Sequence, residues 1–136
     1  MSTIRPRIRI QTSRYTLPRL ISSIPETLFG IAIIPFIDYS TGGSIDGQIR
    51  AAEANLAKVT DKMIVIPGHG AVGGKADLTL FRDVLVGIRD KVAALKKQGK
   101  SLEEIVAAKP GARTDEEWGQ SFMSPSAFIA LVHQGV

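Results

Sequence analysis

Between Ala76 and Gln98 the apolar residues Leu78, Phe81, Leu85, Ile88, Val92 and Leu95 recur at three- and four-residue steps, and Arg82, Asp83, Arg89, Asp90, Lys96 and Lys97 occupy the intervening positions. That period predicts one long amphipathic helix whose single apolar stripe has to be covered by other elements. Gly99 follows it directly, and glycine is the residue that most readily takes the left-handed backbone ending a helix. In a chain of 136 residues, enough for one domain of common size, this helix is the element around which the rest must pack.

Upstream of it, Pro35 to Gly43 reads as an irregular loop, and Ser44 is placed to cap a helix carrying Ile45, Ile49, Ala52, Leu56 and Val59, predicted to run to about Lys58. Asp61-Lys62 marks a turn. Met63-Ile64-Val65-Ile66 is a continuous apolar run, predicted to be a strand buried on both faces, and it stops at Pro67-Gly68-His69-Gly70. A second strand is predicted over Leu28 to Ile34, ended by Pro35. Downstream, Ser101-Leu102-Glu103-Glu104 has the form of a capping box for a short helix ending before Pro110. Thr114 is placed to cap a helix around Trp118, and Ser124-Pro125 sets a cap before a proline at the first helical position of a last helix. From residue 44 the predicted order is helix, strand, helix and then small helices.

Charge divides the chain in two. Residues 1–33 hold five arginines (Arg5, Arg7, Arg9, Arg14 and Arg19), one acid (Glu26) and no lysine. The other twelve basic residues and twelve acidic residues cancel over 34–136. The net charge of +4 therefore belongs to one end, which argues against a nucleic-acid partner for the body. Residues 1–33 read as an atypical Arg-rich segment, and 34–136 as the domain proper. The chain has no cysteine, which excludes disulfides and thiol nucleophiles. It also has no apolar run of membrane-spanning length. No membrane partner is expected, and the expected compartment is the cytoplasm.

His69 is the sharpest chemical candidate. Gly68 and Gly70 flank it directly after an apolar run, where backbone can approach a ligand closely, and neutral imidazole ligates zinc. An ordinary structural loop histidine is the alternative. The second histidine, His133, is expected to face solvent. Asp38 could orient a metal ligand from behind or cap its own loop. Gly42-Gly43-Ser44 could hold an anion or simply cap the next helix. Trp118, Phe122 and Phe128 are expected to form a small aromatic core.

Residues 35–132 resemble the C-terminal half of a metallo-β-lactamase-fold hydrolase. Pro35-Phe36-Ile37-Asp38 with Ser40-Thr41-Gly42-Gly43-Ser44-Ile45-Asp46-Gly47 is similar to a segment of one bacterial subgroup of that superfamily. Ile64-Val65-Ile66-Pro67-Gly68-His69-Gly70 resembles its last metal-ligand motif, and Lys75-Ala76-Asp77-Leu78 and Trp118-Gly119 match the subgroup's style. The resemblance implies the α/β class, as half of an αββα sandwich with small C-terminal helices, and a zinc centre with His69 as one ligand. It further implies hydrolysis of an ester, thioester, lactam or similar bond in the complete family member. The residues present do not select a substrate.

The family's His-x-His-x-Asp-His loop has no counterpart here, nor has its bridging aspartate. In the aspartate's place the chain reads Pro25-Glu26-Thr27-Leu28-Phe29. Codons exist for Ile24 to Phe29 that, displaced by one nucleotide, encode His-Pro-Gly-Asp-Thr-Phe, so residues 1–33 read as an out-of-frame stretch. The expectation is a truncated zinc-dependent hydrolase, inactive alone. The alternative is a non-catalytic remnant that docks on a complementary half, or self-associates, through an exposed sheet face formed by Met63, Ile64, Val65 and the Ile31–Ile34 strand.

Overall fold

The structure, a computed structural model, describes residues 30–31, 34–67, 69–119 and 123–136. Nearly all of the Arg-rich segment, with the Pro25–Phe29 stretch, lies outside the described residues, as do Gly68 and Phe122.

Five helices make the body: α1 (Ile45–Leu56), α2 (Lys75–Lys97), α3 (Leu102–Ala107), α4 (Ala112–Trp118) and α5 (Pro125–Gln134). Local chemistry sets most of their ends. The Ser44 hydroxyl accepts the Gly47 N–H at 3.0 Å to open α1. At α2 the Asp77 carboxylate reaches back to accept the Gly74 N–H at 2.7 Å. α2 closes as expected: Gly99 takes φ +79°, its N–H donates to Lys96 O, and the Lys100 N–H donates to Leu95 O, the paired bonds of a Schellman end. The Ser101–Glu104 capping box forms in both directions, and Ser124 Oγ accepts from Ala127 N to start α5.

Two boundaries differ from expectation. α1 stops at Leu56, two residues early, with Val59 still delivered to the core by the turn that follows. α4 opens after Gly111 instead of at Thr114, whose hydroxyl donates to Gly111 O from inside the helix.

The α/β expectation is overturned. The described residues are 62% helix and 4% strand, and they form no half-sandwich. β1 (Gly30–Ile31) and β2 (His69–Gly70) are two residues each and pair in parallel, Gly30 with His69 and Ile31 with Gly70. Of the expected Met63–Ile66 strand, only Val65 pairs, through an antiparallel bridge to Gly73. Val65 is buried, whereas Ile64 and Ile66 are each 45% exposed. The physical reason is a shortage of partners. A strand buried on both faces needs neighbours along both edges and layers above and below. Here the run is four residues long, Pro67 cannot donate to a ladder, and the other short strand pairs with His69–Gly70 instead. Of the expected Leu28–Ile34 strand, only Gly30–Ile31 is seen as strand, and Leu28, Phe29, Ala32 and Ile33 are outside the described residues.

The core is helix on helix. α2 buries Leu78, Phe81, Leu85, Ile88 and Val92, five of the six residues of the expected stripe. Ile45, Ile49 and Ala52 of α1 and Phe128, Ile129 and Val132 of α5 close over them in one continuous cluster. Trp118 stacks on Phe81, with ring centroids 6.1 Å apart and planes 23° from parallel, and Phe128 is buried in the same core. The loop before α1 is tied down by polar contacts: Tyr39 Oη donates to Leu131 O at 2.5 Å and Gln48 Nε2 donates to Phe36 O at 2.7 Å.

Candidate functional site

His69 sits in β2, its backbone held opposite Gly30 and its side chain exposed. Gly70 behind it has φ +89°, a conformation that costs glycine nothing and most residues a good deal, so the turn leaving the histidine is one that glycine permits. The imidazole is thus presented to solvent from a short paired segment. Ile64, Ile66 and Val72 (the last 61% exposed) belong to the same excursion of chain between Met63 and Gly73, which the Val65–Gly73 bridge closes at its base.

Asp38 has a local task. Its carboxylate accepts from Ser40 N at 2.9 Å and from Ser40 Oγ at 2.5 Å, so it caps the 3-10 turn Tyr39–Thr41. The Ser40 hydroxyl, with smaller help from Thr41 and the backbone N–H groups, holds the Asp38 carboxyl below its ordinary value. Gly43 passes so close that a Cβ there would stand 2.6 Å from Asp38 O. This is a tightly wound loop cap, and among the described residues no hydrogen bond joins Asp38 to His69. Ser44 likewise caps α1.

His133 is half-buried near the end of α5, where its carbonyl accepts from Lys96 Nζ at 2.9 Å. The same ammonium donates to Val136 O. Lys96 therefore neutralises the C-terminal end of α5 as well as lying in the last turn of its own helix.

A catalytic zinc takes about three protein ligands and an open position. Among the described residues no group of three His, Asp or Glu side chains comes together. The residues present supply one imidazole and do not fit a complete zinc centre, so no chemical step is assigned to a metal on this chain.

The sequence reading missed a concave surface elsewhere. A cleft of about 440 Å³ lies between α3, α4 and α5, lined by Val106, Pro125 and Ile129 with Lys109, Asp115 and Ser126. Lys109 is the one non-glycine residue with positive φ (45°) among those described. Its only sequence signal is its place before Pro110, a position from which proline excludes helical backbone.

Among the described residues no helix is long and apolar enough to cross a membrane. Comparison of the chain with protein-family models, with curated proteins and with solved structures gave no match.

Proposed function

We propose that residues 34–136 are the His69-bearing portion of a zinc-dependent hydrolase related to the metallo-β-lactamase superfamily, and that this portion hydrolyses nothing alone. It lends one imidazole to a centre whose remaining ligands lie on a complementary polypeptide. In this reading the helical body is a scaffold that presents a docking loop.

The observation that supports it is the coincidence, on one stretch of chain, of an exposed imidazole and exposed large apolar side chains, His69 beside Ile64, Ile66 and Val72. Exposed apolar surface favours association, and an incomplete ligand set gives that association a chemical purpose. The neutral charge balance over 34–136 favours a protein partner over a nucleic acid, and the cytoplasm is the compartment proposed.

Zinc analysis of the purified chain after gel filtration tests the incomplete-centre reading: no retained zinc is expected, and a tightly held pair of zinc ions per chain overturns it. The coding DNA tests the family reading separately. A displaced upstream frame encoding the His-x-His-x-Asp-His loop is expected, and its absence removes the family assignment.

A further inference from the structure

We propose that the cleft between α3, α4 and α5 binds a small zwitterion of the amino-acid class with an apolar side chain, its ammonium against Asp115, its carboxylate against Lys109 and its side chain against Val106 and Ile129.

The cleft, about 440 Å³, has the size of a small-ligand site, and its lining has the usual character of one: mostly apolar walls with a few polar groups. Opposite charges line the same space, the Lys109 ammonium with the carboxylates of Asp115 and Glu116. Neither the Lys109 ammonium nor the Asp115 carboxylate makes a hydrogen bond or close ion pair among the described residues. Some charged groups on this surface are engaged, Arg89 with Asp46 and Asp90, Arg82 with Asp83, and Lys100 with Glu104; Lys109 and Asp115 differ from these in facing one shared cleft. The neighbouring groove between α2 and α4 shows the contrast, since its lysine, Lys91, already donates to Pro110 O at 3.2 Å.

Two backbone features place the charged pair. Gly111 makes room for the carboxylate: a Cβ there would stand 2.7 Å from Asp115 Oδ1. Lys109 adopts left-handed backbone (φ 45°) immediately before a proline, where glycine would sit at lower cost. This is the left-handed position that ends α3, with the Lys109 N–H donating to Val106 O at 3.1 Å, and it sets the lysine at the rim of the cleft. Burial pushes the Asp115 carboxyl above its ordinary value, against a weaker opposing pull from Lys109.

The test is an amide-resolved NMR titration of the full chain with leucine, with isovalerate (no ammonium) and with isoamylamine (no carboxylate). Leucine is expected to give saturable shifts confined to residues around Lys109, Asp115 and Ile129. Each truncated ligand should bind about tenfold more weakly, the loss of one charge-assisted hydrogen bond. Lys109→Gly is expected to raise the melting temperature while weakening leucine about tenfold, a combination that loss of fold cannot produce. Asp115→Asn should weaken leucine and isoamylamine but leave isovalerate unchanged. The proposal is overturned if leucine gives no saturable shift or shifts residues elsewhere. It also fails if isovalerate or isoamylamine binds as tightly as leucine, or if Lys109→Gly binds leucine as wild type does or lowers the melting temperature. None of these outcomes bears on His69 or on zinc.

Discussion

Arg89 Nη1 of α2 donates to Asp46 Oδ1 of α1 at 2.8 Å, and one heptad away along both helices Arg82 lies 3.7 Å from Glu53. Moving seven residues forward on α1 moves seven backward on α2, so the two pairs fix an antiparallel register outside the core. Arg89 is held further by Asp90, and these carboxylates, Asp46 first, raise its guanidinium above the ordinary value. Both arginine side chains keep 30% of their surface exposed, so the pairs are screened. Arg89→Ala should cost about 0.5–1 kcal/mol. A double-mutant cycle with Asp46→Ala should give a coupling under about 1 kcal/mol that shrinks in high salt. Urea denaturation at two salt concentrations measures both.

The interior should respond on a larger scale. Leu85 is completely buried in α2, whereas Leu80 on the same helix is 49% exposed. Leu85→Ala is expected to destabilise by about 2–5 kcal/mol, because it removes burial and leaves a cavity. Leu80→Gln should stay within about 0.5 kcal/mol of wild type. Denaturant midpoints compared at equal slope test the contrast.

His69 contributes little to the fold, since its imidazole is exposed and only its backbone is paired. His69→Gln should shift stability by less than about 0.5 kcal/mol. A loss of several kcal/mol in thermal unfolding would make His69 a structural residue and remove the reason to read it as a ligand presented to a partner.

Two carboxylates should move stability with pH in opposite directions. Asp115 titrates above its ordinary 3.8 in the folded chain, so the folded state binds the proton more tightly. Its ionisation is therefore a penalty that sets in as pH rises from 3.8 through the raised value and persists at neutrality. Asp115→Asn should raise the melting temperature at neutral pH, with the gain disappearing below 3.8. Glu104, held by Lys100 first and then by the Ser101 backbone, titrates below its ordinary 4.5. Its contribution is present above 4.5 and is lost as pH falls through the depressed value, so Glu104→Gln should narrow its deficit in acid. Melting temperatures across the acid range read both signs.

The apolar loop should govern association. Replacing Ile64, Ile66 and Val72 together by serine removes exposed apolar surface and should shift the chain from associated species to monomer in size-exclusion chromatography, with secondary structure intact. Unchanged elution would separate this surface from association and weaken the docking reading.

The local record of the helices is nearly complete in the residues themselves. Ser44, Ser101, Ser124 and Gly99 mark ends that the structure keeps, and the stripe from Leu78 to Val92 names the buried face of α2. These features depend on neighbours within four residues, and the sequence displays such neighbours openly. The class of the fold does not. Met63-Ile64-Val65-Ile66 satisfies the local pattern of a buried strand, and nothing within the run says whether a sheet waits to receive it. In the folded chain only Val65 finds a partner, so Ile64 and Ile66 are left facing outward. The site divides in the same way. A glycine-flanked His69 is legible, but the absence of converging ligands among the described residues, the capping role of Asp38 and the shared cleft of Lys109 and Asp115 are long-range facts. The sequence by itself determined the helices, the caps at Ser44, Ser101 and Ser124 and the core stripe, because intrahelical hydrogen bonds and side-chain periodicity are local. Only the tertiary structure decided that those helices cover one another instead of a sheet, because strand pairing and cleft formation depend on segments far apart in the chain.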